Sequence, residues 1–371
     1  MLNLDRRNDP LNILNVVIAA FALLGALDRM FDNRFGLGEE FERGFHLFGS
    51  LALSMIGMIV MVPLLSEVMQ PMLAFFHETL GIEPSIIPTS LIANDMGGAA
   101  LAVQVAADPA LGMFNGLVVS CMMGGTIAFT IPVSLTAVDK KHHKELLLGM
   151  LCGIVTIPVG CIAGGLLAGI PLALLLGNLL PLILFSVVIA AGLALCPDVC
   201  ARIFGALGVV IKGLITVGLA LSILKYLTGV ELIPGLISLE DAAAVSLSCS
   251  IFLTGVLPLL ALVSKLIDKP MRALGRALSI NENSVMGFVA TLASSVTTFA
   301  MMEKMDKKGI LLNSAFAISA AFAFADHLAF TMSFNAEYVG AVTLAKMVGG
   351  ITSVLIGGML YRKLYHTEVQ N

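Results

Sequence analysis

Charge is what this sequence lacks. Only 12% of its 371 residues are Asp, Glu, Lys or Arg, about half the share of an ordinary soluble domain, while 58% are hydrophobic. So apolar a chain cannot clothe two or three soluble domains in polar surface, which excludes that architecture and leaves a membrane protein. The basic residues form no long run and the formal net charge is -4, so a phosphate backbone finds nothing to hold and nucleic acid is excluded as a partner.

Catalytic signatures are missing too. There is no Gly-rich phosphate loop, no Gly-x-Ser-x-Gly elbow and no His-Glu-x-x-His, so neither ATP hydrolysis nor a familiar hydrolase is supported. The six cysteines (Cys121, Cys152, Cys161, Cys196, Cys200 and Cys249) sit mostly in apolar stretches, where a thiol behaves as a small hydrophobe. Cys196 and Cys200 are close, but their spacing is not Cys-x-x-Cys and no second pair accompanies them. His46, His77, His142 and His143 offer no metal-ligand spacing. No cofactor and no metal are expected.

What is present is a succession of apolar segments. A bilayer core needs roughly 20 apolar residues in a helix, and 12–31, 44–69, 85–104, 112–138, 144–169, 171–195, 203–226, 242–267, 284–303, 309–334 and 337–361 meet that test. The expected fold is an all-α polytopic membrane protein of about 10–12 transmembrane helices. Its 36 Gly and 14 Pro point to close-packed, interrupted helices near the midplane. The first apolar segment runs too long for a signal peptide and lacks a small-residue cleavage site, so it is expected to stay as a helix. Arg6 and Arg7, read with Lys140, Lys141 and Lys144, point to a cytoplasmic N-terminus. The later clusters, Lys265 to Arg276 and Lys304 to Lys308, flank one candidate span and so fall on opposite sides.

The two halves can be laid over each other. Ser66 to Met72 with Glu83-Pro-Ser85 resembles Ser264 to Met271 with Glu282-Asn-Ser284; Ile127 to Thr130 meets Leu328 to Thr331; Gly153 to Thr156 with Gly164-Gly165 meets Gly350 to Ser353 with Gly357-Gly358. The offset stays between 193 and 201. An internal duplication predicts a polar N-terminus 1–11, a five-span repeat 12–169, a linker segment 170–202, a second repeat 203–361 and a polar C-terminus 362–371. If 171–195 crosses once, the repeats are parallel; if it lies flat or re-enters, they are inverted, which is the commoner arrangement.

Asp95 is the sharpest residue. A carboxylate within a helix in hydrocarbon costs at least about 2.5–3.5 kcal/mol, so it implies a partner, water or a ligand cation. Gly97 and Gly98 loosen the helix beside it and free backbone carbonyls to face a cavity; a helix cap or internal pair is the alternative. Asp326 and His327 are the oddity of the second half, aligned with Gly125 and Thr126 in the broken run Met122-Met123-Gly124 to Pro132. They read either as a proton-exchanging site or as a satisfied buried pair. An intramembrane enzyme built on them lacks a third member. Asn281 to Ser284 reads as a helix cap or, through Glu282, a pore mouth. Lys346 is explained by snorkelling near a helix end, whereas Lys212 lies far enough in to suggest an internal acidic partner.

Ala26 to Arg29, Gly36 to Phe45, Asn94 to Gly98, Met122 to Gly124 with Ile131-Pro132, Gly153 to Gly165, Asn281 to Gly287 and Ala325 to Phe330 together resemble the ethanolamine permease family of bacterial ethanolamine-utilization systems. The likeness spans roughly 25–362 and departs at the polar N-terminus and at Gly125, where the family carries proline. The resemblance implies a multi-pass protein of the bacterial inner membrane that facilitates ethanolamine uptake, with the pathway's soluble enzymes as downstream partners rather than contacts. Protonated ethanolamine needs acceptors for three N–H donors and a polar group for its hydroxyl. The candidate set is Asp95, Asn94, Gly97, Gly98, Met123, Gly124, Thr126, Asn283, Ser294, Asp326 and His327, with Ser90 also in reach. Proton-coupled transport of another small organic cation or polar solute is the alternative, and homo-oligomerisation stays open.

Overall fold

A computed structural model describes residues 13–266 and 268–366, apart from the side chains of 265–272, 365 and 366. The expected polar N-terminus 1–11, with Arg6 and Arg7, residues 367–371 of the expected tail, and the side chains of Lys265, Lys269 and Arg272 lie outside that description. The described residues form helices and turns without a strand, and eight helical runs among them are long and apolar enough to cross a membrane.

Helix α1 (Ile13–Met30) leads into the long α2 (Leu37–Leu80) through a turn on the buried Asp28, whose carboxylate accepts the N–H groups of Phe35, Leu37 and Gly38. Three donors at the start of α2 are thereby satisfied. Then come α3 (Ile86–Thr89) and α4 (Gly98–Val105). Next, α5 (Pro109–Phe114) continues through π-helical turns at Asn115–Gly124 and Thr126–Thr130 into α6 (Ile131–Ala137). Helices α7 (His143–Leu167), α8 (Leu172–Leu195), α9 (Pro197–Thr228) and α10 (Leu239–Leu266) follow. The chain closes with α11 (Asp268–Leu278), α12 (Glu282–Ala293), α13 (Ser295–Met301), α14 (Lys307–Ala320), α15 (Asp326–Phe334) and α16 (Val339–His366).

Two of the expected spans turn back on themselves. The Glu83 carboxylate, just before α3, accepts the N–H groups of Ala107 and Asp108 at 3.0 and 3.3 Å, just after α4. Residues 86–105 therefore end where they began, as a re-entrant hairpin. In the second half Asn281 receives the same treatment: its N–H donates to Asp306 at 2.9 Å and its amide to the Lys304 carbonyl at 3.0 Å, closing α12 and α13 into a second hairpin. Hydropathy passes such segments because an apolar run is equally long whether it crosses or returns.

Helix directions follow from cross-contacts. Ser250 donates to Gly44 O at 2.7 Å and Ile237 N–H to Val60 O at 3.2 Å, so α2 and α10 run antiparallel. Thr156 donates to Gly349 O at 3.2 Å and Gly164 lies against Ala341, so α7 and α16 do too. Gly57 packs on Ile215, and Gly255 packs on Ile18. Asn115 bonds Ser85, as Asn313 bonds Ser284, and Asp108 and Asp306 cap α5 and α14.

Lys141 pairs with Glu303, and His142 Nε2 lies 3.5 Å from the same carboxylate; Lys308 reaches the Leu278 carbonyl and lies over the Tyr361 ring. Residues 138–143, 276–281, 302–308 and the end of α16 thus share one end of the molecule, bringing Lys140, Lys141, Lys144, Arg276, Lys304, Lys307, Lys308, Arg362 and Lys363 together. This corrects the expectation that the two later basic clusters fall on opposite sides: the segment between them returns. Gly25 packs near Pro258 while Ile18 meets Gly255, so α1 follows α10 and begins at the end away from the Lys140 loop. The expected shared side of Arg6 and Arg7 with that loop lies outside the described residues. Helix α8 is one continuous helix, and the expectation that a crossing there makes the halves parallel counted a crossing at 85–104 that the first hairpin does not make.

Candidate functional site

The tip of the first hairpin is a single 3₁₀ turn, Asn94–Met96, entered from an extended Ala93 and left through Gly97 at φ 90°. An L side chain avoids that conformation, and a Cβ there would also press on Met58. Asp95 is therefore displayed at a turn, not within a helix as the sequence implied. Asn94 is fully buried, and neither its amide nitrogen nor its oxygen has a partner. Asp95 Oδ1 is also buried without a hydrogen bond. Unmet buried polar groups of this kind cost about 1–3 kcal/mol each unless a ligand or water completes them.

Helix α15 brings the opposite wall. His327 Nε2 lies 3.9 Å from Asp95 Oδ1, its Nδ1 has no partner, and Asp326 precedes it at the first turn. The Phe322 ring stands 5.4 Å from the imidazole and 5.6 Å from Phe129. Phe322 adopts φ 60°, a strained conformation for a bulky side chain, held by its N–H bond to Thr291 O at 3.1 Å; Phe324 N–H bonds Leu292 O at 3.0 Å. The second hairpin's tip, with Ser294 and Ser295, is thus docked on the break between α14 and α15. Behind this break Lys346, 1% exposed, donates to the carbonyls of Cys121 (3.2 Å), Ser319 (3.2 Å) and Ala321 (2.9 Å). A carboxylate with an open oxygen, an amide with both ends open and an aromatic wall suit a small cation carrying one further polar group.

The chain matches the family model described as Ethanolamine utilisation protein, EutH, over residues 11–360. It is 39% identical to the "Probable ethanolamine permease EutH" of Listeria monocytogenes, covering 93% of this chain and 92% of that protein. The identically named protein of Salmonella typhimurium is 37% identical with 95% of each covered, and the "Uncharacterized protein YxeR" of Bacillus subtilis 38% with 91% of each covered. The chain belongs to the EutH family. It is a multi-pass membrane protein, and several of its relatives are named probable ethanolamine permease. No solved structure matches it.

In this EutH-family chain the structure gathers Asn94, Asp95, Gly97, Gly98, Gly124, Asp326 and His327. Gly124 lies against the Ile92 and Thr89 carbonyls, and a Cβ on Gly125 would stand 3.3 Å from His327 Cε1. Met123 is buried in the π turn. The Thr126 hydroxyl donates to Met122 O and Ile318 O, and Ser90 to Ile86 O, so both are occupied within the fold. Asn283 is exposed at the base of the second hairpin, away from Asp95. Beside it Asn281 is the helix cap, accepting from Ser284 N–H, and Glu282 is exposed. Lys212 is exposed on α9 and forms no ion pair among the described residues, so the expected internal acid is absent there; Lys346, expected to snorkel, is the buried lysine. Sequence reasoning missed Ser295 and Ser319, whose hydroxyls are buried without partners, and Phe322. Ser294-Ser295 at the offset from Asn94-Asp95 was the available signal.

Proposed function

We propose that this protein facilitates the uptake of ethanolamine across the bacterial inner membrane, carrying the protonated amine as a uniporter and performing no catalysis. The observation that carries the reading is the first hairpin tip, where Asn94 and Asp95 Oδ1 are buried without hydrogen bonds and His327 Nε2 lies 3.9 Å from Asp95 Oδ1, in a chain with relatives named probable ethanolamine permease. Asp95 takes the ammonium, and Asn94 or Ser294 the hydroxyl, with Gly97, Gly98 and Gly124 allowing close approach and Asp326 and His327 bracing the cavity.

The unit division is 12–169 and 203–361 about the segment 170–202, with the polar ends 1–11 and 362–371. Support comes from contacts repeated at a shift of 197 to 199 residues, namely Gly57 on Ile215 with Gly255 on Ile18, and Ser85–Asn115 with Ser284–Asn313. Matching helices run antiparallel, which favours inverted repeats whose two hairpin tips meet near the bilayer midplane. By the positive-inside rule the lysine- and arginine-rich end faces the cytoplasm, which puts the start of α1 outside.

Purified protein in liposomes with labelled ethanolamine outside tests this. Saturable uptake driven by an inside-negative potential, competed by small primary amines and not by serine or alanine, is expected, because an amino acid's carboxylate would face Asp95. Accumulation driven by a proton gradient at zero potential, lost in Asp326→Asn or His327→Ala, would replace uniport with proton coupling.

A further inference from the structure

Lys346 is a buried charge without a carboxylate in contact. Its three donors are spent on carbonyls from both halves, Cys121 in the π-helical run and Ser319 and Ala321 at the break before α15. Carbonyl dipoles hold an ammonium in place but do not neutralise it, and an uncompensated charge at this depth is costly. Asp95 is the acid coupled to it; Asp326 is coupled to Asp95 and to the exposed Arg43 of α2, and His327, with Nε2 3.9 Å from Asp95 Oδ1, is the remaining titratable group. Cys121 and Cys161 are the other ionisable groups near the ammonium.

We infer that Lys346 is the carrier's built-in counter-cation, which lets the empty site reorient without a co-transported ion. This rests on the proposed transport of a monocation through the Asp95 site. At a pH high enough to ionise both carboxylates, with the imidazole neutral and the exposed Arg43 paired with Glu40 and left to solvent, the cluster of Asp95, Asp326 and Lys346 carries one net negative charge empty and none when an ammonium is bound. Removing Lys346 makes these two negative charges and one. The desolvation cost of a buried charge grows with its square, so the empty form is penalised about three times as heavily as the loaded form. Uniport needs the empty step; exchange of internal for external substrate does not. A lysine that merely stapled three carbonyls would slow both alike.

The test uses full-length protein in liposomes and labelled ethanolamine, comparing net uptake into empty vesicles with exchange into vesicles preloaded with unlabelled ethanolamine. Lys346→Met is expected to lower net uptake at least about tenfold more than exchange. Asp326→Asn is expected to show the reverse burden, with exchange falling as far as net uptake because the loaded site is now positive. The double variant Lys346→Met with Asp326→Asn restores the original charge count and is expected to recover net uptake relative to Lys346→Met. Equal loss of both fluxes in Lys346→Met, or a double variant no better than the single ones, overturns the counter-cation. Should Lys346→Met fail to fold, recovery of a folded, transporting double variant supports the charge balance, and failure of the double variant as well overturns it. Absence of saturable ethanolamine flux in the wild type would instead remove the transport reading itself.

Discussion

The two hairpins close alike and end differently. At the base of the first, Glu83 accepts the N–H groups of Ala107 and Asp108 from the far arm; at the base of the second, Asp306 accepts from Asn281 N–H and from the Ser284 hydroxyl. Both acids are spent on structure. At the tips, the first hairpin offers an amide and a carboxylate with open positions, while the second offers serine hydroxyls and no charge. Similarly closed hairpins therefore carry one tip with a carboxylate and an amide and one tip with hydroxyls alone, and the difference lies on the turn rather than on the helices that support it.

The largest effect expected from breaking that difference is at Asp95. Asp95→Asn removes the only charge on either tip and should cost about 3–5 kcal/mol of ammonium binding, at least about a hundredfold in apparent affinity, while the purified variant stays monodisperse. Unchanged uptake at acidic pH by a well-folded variant would take Asp95 out of the site. Next comes the pair of neutral changes at the tips, measured as apparent KM. Asn94→Ala should weaken ethanolamine by about 1–3 kcal/mol and ethylamine less, since only the former has a hydroxyl to lose. Ser295→Ala sharpens the contrast: if the second tip also reads the hydroxyl, the same preference for ethanolamine over ethylamine falls.

At the bases the expected effect moves from binding to stability. Glu83→Gln keeps shape but weakens the charged acceptor for Ala107 and Asp108, and should lower the thermal midpoint with little change in KM. Asp306→Asn should do the same for the second hairpin. The smallest effect is expected at the exposed pair Lys141–Glu303, where solvent screening leaves little to lose. Glu303→Gln should leave both melting and uptake nearly unchanged at physiological salt, and a large loss of transport there would make the contact a gate.

Much of this was legible in the sequence, and the misses have physical causes. Asp95 beside Gly97-Gly98 announces a broken, polar point because hydrocarbon tolerates neither a charge nor loose backbone without reason. The internal likeness around Ser85 and Ser284 was visible, but its partners Asn115 and Asn313 lie about 30 residues away and nothing local connects them. The return of each hairpin depends on a long-range hydrogen bond, so length and hydropathy could not tell a crossing from a turn. Position along the chain put Lys212 deeper than Lys346; only packing decides that Lys212 faces outward and Lys346 enters a carbonyl cradle.

The gathering of basic residues at one end has a consequence for biogenesis. In the proposed inverted arrangement the molecule would be nearly its own upside-down image, with apolar spans that favour neither pose strongly. Without a bias, ribosomes would deliver a mixed population, half of it facing the wrong way. In that arrangement the lysines and arginines between 140 and 144, at 276, between 304 and 308 and at 362 and 363 would supply the bias, and because they are spread over several loops no single substitution is expected to flip the protein.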